Sequence, residues 1–534
     1  MAQPAPRLVV VSPPPTKPCE PGLSGAAAAS RLRALGLDAH WIDASIGWFE
    51  HSLQPQALER CLEHAQPGAP TAAYRDALRV ARAPQHPLRR AATYADRRRY
   101  SSAANVLINA LRLASEPWPG VSLRASELEI EGLHPARSAD LAAFARQPGP
   151  FDDYFLGVLL PALERLAPTH VGISLTFYQQ GFAACRLAAL LAERLPQVQR
   201  VLAGPLVDCW AAAGNDLGTA PFQLFQRVLR LPGADDLDAF ARELGAPASP
   251  VSAPLAVDPA EAPWHAYLSP QPVVPAAIGR GCYWRRCTFC PDHLHPTYEP
   301  CGTDALEGWL HTLAARFPRG AMLHLTDSAL TPKHLLHIAR IIERDALPLR
   351  WHGFVRMERA FAEPEVARQL AAGGATLLQW GMESASPALL ERMDKGVGPE
   401  QARAVLRACS AAGIKNHVYL LFGQPGETDT ERDATLAFVT AEGEHIHDLN
   451  NALLNLPRGS LMHRNAGDYS ITEISPFSAD TDLSLYDDFR CGASHPRLEA
   501  RRWLGRRFFK SDVARAIQGG LKGPFGANHS CFLP

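Results

Sequence analysis

The sequence lacks the features that mark a membrane-spanning, exported or nucleic-acid-binding protein. No apolar run approaches the ~20 residues that a bilayer-spanning helix needs. The first charge is Arg7, and only four apolar residues follow it, so the basic-then-apolar order of a signal peptide is missing. A net charge of −1 provides no field to attract nucleic acid or an anionic membrane. We therefore expect a cytoplasmic protein that binds neither nucleic acid nor a membrane.

Cysteine is the informative residue type. Eleven cysteines are an odd number in a chain without an export signal, which makes a disulfide framework improbable. Eight of them are scattered, and we predict that these are small buried hydrophobic residues: Cys19, Cys61, Cys185, Cys209, Cys301, Cys409, Cys491 and Cys531. The other three, Cys282, Cys287 and Cys290, lie within nine positions. This clustering predicts a metal centre.

The first 245 residues alternate between short apolar runs and helical periodicity. Strand-like runs at 8–12, 39–42, 170–175 and 198–202 are separated by predicted helices, with a proline-interrupted helical insertion at about 48–150. This alternation predicts a doubly wound, Rossmann-like parallel sheet with right-handed crossovers. Such sheets bind ligands beyond the carboxyl ends of their strands.

A proline-rich linker is predicted at 246–272, followed by a second α/β domain at 273–455. Its predicted strands are 273–278, 322–325, 350–355, 376–380, 416–422 and 448–455. Six βα units form most of a parallel barrel, and chemistry in such barrels takes place at the C-terminal mouth. The C-terminal extension, 456–534, matches no pattern. Its last residues, 528–531, are expected either to fold over the barrel mouth or to form a free tail.

The cysteine cluster follows the first barrel strand directly, in the segment Gly-Arg-Gly-Cys-Tyr-Trp-Arg-Arg-Cys-Thr-Phe-Cys. Three thiolates in one loop can converge on one metal centre. A closed zinc site needs a fourth ligand, which Cys301, His293 or His295 could supply. An iron–sulfur cluster with three cysteine ligands leaves one iron open to activate a substrate. The residues alone leave both centres possible.

This segment resembles the cluster loop of the radical S-adenosylmethionine (SAM) enzymes, although its first gap has four residues where the family has three. The resemblance implies that Cys282, Cys287 and Cys290 hold a [4Fe-4S] cluster and that SAM chelates the open iron. An electron from a low-potential donor, such as flavodoxin or ferredoxin, would then cleave SAM to methionine and a 5′-deoxyadenosyl radical. Phe289, before the last cysteine, corresponds to a family position near the adenine.

Later strand ends resemble the same family in the same order. Thr326, Asp327 and Ser328 end the second barrel strand, where the family contacts the methionine amino group. Glu383 and Ser384 end the fourth strand, where it contacts the ribose. Gly423, Pro425 and Gly426 form a Gly-x-Pro-Gly-Glu turn that lies near the adenine in the family. The resemblance covers about 275–455 and implies a partial (β/α)6 radical SAM barrel.

The N-terminal domain is similar to the cobalamin-binding domain of one large radical SAM subgroup. The resemblance implies cobalamin contacts at the strand ends: Pro14, Pro15, Thr16, Ser174, Thr176, Phe177 and Gly204. The Asp-x-His-x-x-Gly signature of other cobalamin proteins is missing, so we interpret His40 as an ordinary structural histidine.

The combined resemblance implies an enzyme that methylates an unactivated carbon of a peptide or small metabolite. One alternative is a radical SAM enzyme that cyclises or oxidises its substrate without methyl transfer. Another is a non-catalytic sensor that binds a cluster, zinc or cobalamin. Production of 5′-deoxyadenosine without S-adenosylhomocysteine would favour the first alternative, and lack of SAM cleavage would favour the second.

Overall fold

Two parallel sheets organise the protein. The computed structural model describes residues 6–230, 234–247, 254–291, 298–518, 525 and 527–534. Five parallel strands form the N-terminal sheet: β1 (Arg7–Ser12), β2 (Asp38–Asp43), β3 (His170–Ser174), β4 (Gln199–Ala203) and β5 (Arg227–Val228). Their spatial order is β2-β1-β3-β4-β5. This is a doubly wound order in which the crossovers change direction between β1 and β3, and ligands bind at such switch points.

Strand β1 shows why this sheet forms. Its run of one leucine and three valines is buried throughout, as expected for a parallel strand with both faces covered. Helices pack on both faces of the sheet, and the main ones are Leu23–Ala34, Gln180–Arg194, Pro205–Ala212 and Ala234–Glu243. The predicted doubly wound sheet is confirmed.

The insertion between β2 and β3 is mostly helical. Its helices are Ala44–Ser52, Pro55–Leu62, Thr71–Ala81, Arg97–Ser115, Ser138–Phe144 and Leu160–Leu166. It also contains an antiparallel hairpin of Val121–Leu123 and Leu128–Ile130, which differs from the purely helical prediction. The helix before this hairpin cannot continue, because Pro117, Pro119 and the positive-φ Gly120 follow it.

The second sheet contains six parallel strands in sequential order: β7 (Val273–Ala277), β8 (Ala321–Leu330), β9 (Leu349–Val355), β10 (Ala375–Glu383), β11 (Lys415–Phe422) and β12 (Asp448–Leu453). The short strand β6 (Leu255–Ala256), within the predicted linker, pairs antiparallel with β7. Helices cover the outside: Thr303–Arg316, Pro332–Arg344, Pro364–Ala372, Pro387–Arg392, Pro399–Ala411 and Asp429–Ala441. The predicted six-stranded partial barrel is confirmed.

The C-terminal extension packs against the barrel. Short antiparallel strands are formed by Leu456–Pro457, Glu473–Pro476 and Tyr486–Arg490. Helix Pro496–Arg506 follows, and its Trp503 lies 5.8 Å from Phe422 of β11, measured between ring centroids. The remaining helices of the extension are Leu461–Arg464, Asp512–Gln518 and Ala527–Ser530.

The last residues of the chain close the end of the barrel opposite its mouth. Cys531 packs with Val273, Met322 and Leu377, which lie at or near the starts of their strands. Lys415, the first residue of β11, donates hydrogen bonds to carbonyl groups of the tail. Both expectations for this segment were therefore wrong, because buried apolar side chains hold it beneath the barrel floor. In the described part of the chain, no helix combines the length and apolarity needed to span a bilayer.

Candidate functional site

The cysteine loop begins where β7 ends. Gly279–Arg280 pairs antiparallel with Glu299–Pro300, which fixes the loop at its base. Gly281 has a φ of 70°, a left-handed conformation that glycine adopts without steric cost. At the end of the loop, the Cys290 amide donates a hydrogen bond to the Cys287 carbonyl over 3.2 Å. These contacts hold the cysteines in a compact loop at the barrel mouth.

The segment that follows helix Pro387–Arg392 anchors this loop. The Thr288 amide donates to the Met393 carbonyl over 3.0 Å. The indole nitrogen of Trp284 donates to the Asp394 carbonyl over 2.8 Å. A Cβ at Gly396 would lie 2.3 Å from the Trp284 ring, so the close approach of this segment requires a glycine. The loop geometry therefore depends on residues about 110 positions along the chain from Trp284.

Two cations lie beside Cys287. The Arg356 guanidinium is 3.7 Å from the Cys287 sulfur, and it also donates to the Lys395 carbonyl over 2.5 Å. Burial raises the pKa of Cys287, whereas Lys395 and Arg356 act to lower it. Nearby cations favour the thiolate, which is the metal-binding form of cysteine. The site thus offers a buried sulfur with local positive charge.

The spacing of the cysteine sulfurs does not suit a single zinc ion. Sulfurs around one tetrahedral zinc, with Zn–S bonds of about 2.3 Å, stand about 3.8 Å apart. In the described ranges, the set of three or more potential ligand atoms lying within 4.8 Å of one another is Glu307, His311 and Asp345, not the cysteines. That set is a surface ion-pair cluster with Arg344. His293 and His295, considered above as zinc ligands, lie outside the described residues.

Residues 326–328 divide between the two faces of β8. Thr326 and Ser328 line the large cavity described below. Asp327 points away from this cavity, and its carboxylate accepts a hydrogen bond from the Ile278 amide over 3.1 Å. Burial raises the pKa of Asp327 to about 7. The alternation of strand side chains explains this division, so only the first and third residues face the cavity.

Glu383 ends β10 in a strained conformation. Its φ is 69°, which is unfavourable for a residue with a side chain. The Glu383 carboxylate accepts a 2.8 Å hydrogen bond from the buried Lys395 ammonium. Burial opposes the charge on Lys395, but Glu383 and Cys287 outweigh this effect, and the pKa of Lys395 is raised. The same ammonium lies 5.7 Å from the centre of the Phe289 ring. Glu383, Lys395, Phe289 and Cys287 therefore form one cluster at the mouth.

The remaining predicted SAM positions make contacts within the protein. The Ser384 hydroxyl lies 3.2 Å from that of Thr435. The Pro425 carbonyl accepts a 2.6 Å hydrogen bond from Arg392, and a Cβ at Gly426 would collide with that guanidinium. A Cβ at Gly423 would lie 3.0 Å from the Cα of Arg497, in the C-terminal extension. These residues stabilise the barrel mouth through contacts with neighbouring segments of the protein.

The carboxyl edge of the N-terminal sheet carries a group of hydroxyls at the switch point. The Ser24 hydroxyl lies 2.8 Å from that of Ser174 and 2.9 Å from that of Thr176. Phe177 is 51% exposed, which is unusual for a large aromatic side chain. Thr16, Ser174, Thr176, Phe177 and Gly204 all line the cavity. Pro14 and Pro15 are buried behind it. His40 bonds to Asp38 on the outer strand β2.

A single cavity of about 1390 Å³ joins the two sheets. It extends from the N-terminal sheet, over Gly172 in the middle of β3, to Arg280 and Gly281 at the base of the cysteine loop. Sequence reasoning missed its polar barrel-side lining: Lys17, Glu20, His324, Gln379, His417, Tyr419, Asp448, Asn450, Asn451 and Asn528. For the strand residues His417, Tyr419, Asp448 and Asn450, the available signal was polar residues at alternate positions of strands that are otherwise buried.

Comparisons with known proteins agree with this geometry. A family model described as the Radical SAM superfamily matches residues 277–439. An uncharacterized methyltransferase from Pyrococcus horikoshii is 31% identical over 162 residues, which are 30% of this chain and 35% of the relative. The chain thus covers about a third of the length of the curated relative that it matches.

A solved structure resembles nearly the whole chain. The radical SAM methyltransferase TsrM from Kitasatospora setae, with cobalamin and a [4Fe-4S] cluster bound, superposes with a TM-score of 0.52. The match covers 93% of this chain and 85% of that chain at 14% identity. At this identity the likeness shows a shared fold.

Proposed function

Because residues 277–439 are a domain of the radical SAM superfamily, we propose that this chain is a radical SAM enzyme that also uses cobalamin. We propose that it methylates an unactivated carbon of a peptide or small metabolite. The observation that carries the proposal is the shared cavity, which joins the ligand-binding edge of the N-terminal sheet and the barrel interior in one continuous space. A methyl carrier and a radical generator must meet at one substrate, and this arrangement permits it.

Cys282, Cys287 and Cys290 would hold the cluster. The three sulfurs do not all lie within 4.8 Å of one another, which a cluster of several irons accommodates more readily than one zinc ion. When bound, the cluster and SAM supply one-electron chemistry, and cobalamin supplies a methyl group. The hydrogen bonds from Trp284 and Thr288 to the segment after helix Pro387–Arg392 hold the loop in place. An external low-potential electron donor completes the requirements.

We propose that four residues contact SAM. Thr326 and Ser328 present hydroxyls to the cavity, and either hydroxyl can accept a hydrogen bond from an ammonium group. Glu383 can accept hydrogen bonds from ribose hydroxyls, while Lys395 fixes the orientation of its carboxylate. Phe289 provides an aromatic surface beside them. The other predicted positions support these four residues and the barrel mouth rather than contacting SAM directly: Asp327, Ser384, Gly423, Pro425 and Gly426.

The N-terminal edge fits a large cofactor. The cavity continues between the sheet and its helices, over Gly172 in the interior of β3, where a glycine permits close approach of a ligand to the backbone. The hydroxyls of Ser174 and Thr176 can bond polar groups of cobalamin, and the exposed Phe177 can cover an apolar part of it. Thr16 and Gly204 complete this edge.

The domain organisation that we propose follows the two sheets. Residues 1–245 form the cobalamin-binding domain with its insertion, and 246–272 connect it to the barrel at 273–455. The extension at 456–534 covers the barrel from outside and below. The tail covers the barrel floor and so limits the access of water to the cavity from that end.

The test is product analysis under anaerobic conditions. The reconstituted chain, supplied with SAM, hydroxocobalamin and a strong reductant, is expected to form both 5′-deoxyadenosine and S-adenosylhomocysteine. Liquid chromatography with mass detection resolves the two. Formation of 5′-deoxyadenosine without S-adenosylhomocysteine would instead support cyclisation or oxidation of the substrate. Lack of both products would overturn the enzymatic proposal.

A further inference from the structure

The floor of the shared cavity collects polar groups from three separate parts of the chain. Lys17 and Glu20 come from the loop after β1, and Asn528 comes from the C-terminal tail. His417 and Asp448 come from the adjacent barrel strands β11 and β12. We call these five residues the cavity floor. They lie toward the beginnings of the barrel strands, away from the cysteine loop.

The floor holds one cation and one anion that lack ion-pair partners. The Lys17 ammonium donates a 3.1 Å hydrogen bond to the Asn528 side-chain oxygen, and no carboxylate in the described ranges lies within 4.0 Å of it. The Asp448 carboxylate accepts a hydrogen bond from the neighbouring Leu449 amide over 2.9 Å. No described lysine or arginine lies within 4.0 Å of Asp448, and His417 is 3.6 Å away. Both charges are therefore available to a ligand.

A neutral group between these charges is also unsatisfied. His417 is 3% exposed, lines the cavity, and has no hydrogen-bond partner at either ring nitrogen among the described residues. Buried polar groups in folded proteins are nearly always hydrogen-bonded, and leaving one unpaired costs about 1–3 kcal/mol. This concentration of unpaired groups indicates a ligand site.

The other carboxylate of the floor, Glu20, already has hydrogen-bond partners. The Glu20 carboxylate is bound by His324 at 2.9 Å and by the Asn528 amide at 2.6 Å, so it is already satisfied. Burial lowers the pKa of His417 to about 4, and Lys17 acts in the same direction. His417 is therefore neutral at physiological pH, with one nitrogen that donates and one that accepts. The ligand must itself supply the charges that complement Lys17 and Asp448.

We propose that the cavity floor binds a small zwitterion, with its carboxylate at Lys17 and its ammonium group at Asp448. His417 completes the site with neutral hydrogen bonds. This inference rests on the proposed function, since it assigns the substrate class of the same cavity. It selects a free amino acid or a similar molecule over a peptide segment, because an internal peptide segment carries neither of the two terminal charges.

The test measures the thermal unfolding midpoint of the full-length, anaerobically reconstituted chain. The probes are the proteinogenic L-amino acids at millimolar concentration, each compared with its N-acetyl and carboxamide derivatives. We expect at least one free amino acid to raise the midpoint by about 2 °C or more when present well above its Kd. Both derivatives should lose most of this shift, because each removes one of the two charges.

Variants provide a second arm. Lys17→Met and Asp448→Asn should each abolish the shift, whereas the exposed matched variants Lys510→Met and Asp468→Asn should retain it. If one floor variant fails to fold, the other variant and the N-acetyl and carboxamide derivatives still test the proposal. The proposal is overturned if no amino acid shifts the midpoint, if the derivatives bind equally well, or if both floor variants retain the shift.

The test of the zwitterion site can be distinguished from the test of the proposed function. Cluster absorbance and SAM cleavage are scored on the same preparation. Cleavage without amino-acid binding would overturn the zwitterion site alone. Amino-acid binding by a chain that assembles no cluster would overturn the proposed function alone.

Discussion

The two ends of the shared cavity differ in how fully their polar groups are paired. At the cysteine loop, Trp284, Thr288 and Arg356 all bond to residues 392–396, and Lys395 pairs with Glu383. At the cavity floor, Lys17 and Asp448 have no charged partner within 4.0 Å among the described aspartate, glutamate, lysine and arginine residues, and His417 has no hydrogen bond there. A fully bonded loop is pre-organised to hold a resident group in one geometry. Unpaired groups are suited to a ligand that comes and goes.

The largest effect, loss of the metal centre, is expected from removing the thiolates of the cysteine loop. Substituting Cys282, Cys287 or Cys290 by serine should abolish cluster assembly, because each supplies one of only three thiolates. Iron and sulfide content after anaerobic reconstitution measure this. Cys301→Ser and Cys61→Ser are the matched controls, and both should retain the cluster. Loss of the cluster in Cys301→Ser would instead identify that residue as a fourth ligand.

The next effect concerns the ion pair beside Cys287. Lys395→Met leaves Glu383, whose side chain is 13% exposed, without its cation. Removing one partner of a buried pair costs about 3 kcal/mol or more. Urea unfolding of the variant should show this loss, and the double variant with Glu383→Gln should recover part of it. The exposed Lys510→Met is the control. Equal stability of Lys395→Met and the parent would mean that the pair contributes nothing.

A smaller effect is expected from the glycine that contacts Trp284. Gly396 has a φ of 66°, and an alanine Cβ there would lie 2.3 Å from the indole ring. We expect Gly396→Ala to destabilise the protein by about 2 kcal/mol through backbone strain and displacement of the loop. Gly398 has a negative φ and open space around it, so Gly398→Ala should have little effect. Similar unfolding midpoints for the two variants would contradict this account.

The smallest effect is a pH dependence at Asp327. Burial raises the pKa of Asp327 from 3.8 to about 7, so the native state holds a proton that the unfolded chain releases. The contribution of Asp327 to stability should therefore fall as pH rises from about 4 to about 7, by at most about 1.4 kcal/mol per pH unit, and should level off above pH 7. Asp327→Asn should remove this slope in urea unfolding, whereas the exposed Asp304→Asn should not. An unchanged slope in Asp327→Asn would show that burial does not govern this carboxyl group.

The residues around the cysteine loop could be predicted from the sequence better than those of the cavity floor. The cysteine spacing and the strand-end motifs are local signals, so short segments were enough to locate them. Strand alternation could have separated Asp327 from Thr326 and Ser328, because successive side chains face opposite ways. The sequence does not predict that Gly423 meets Arg497 of the extension, because that contact depends on packing between distant segments.

The cavity floor could not be assembled from the sequence. Lys17, Glu20 and Asn528 lie about 510 residues apart at the extremes, yet Asn528 bonds to both of the others. Their meeting depends on the N-terminal sheet, the barrel and the tail docking together. His417 and Asp448 were visible as polar residues in buried strands, but only the register of β11 against β12 makes them direct neighbours. Long-range docking is the information that periodicity and motifs do not contain.

The central claim is that the three loop cysteines hold an iron–sulfur cluster beside a cavity that also binds cobalamin. Quantifying iron, sulfide, cobalt and zinc in one anaerobic preparation, reconstituted with hydroxocobalamin, tests it most directly. We predict about four iron and four sulfide per chain, together with bound cobalt, and loss of the iron in the triple serine variant of Cys282, Cys287 and Cys290. Zinc without sulfide, or iron that persists in the triple variant, would contradict the account.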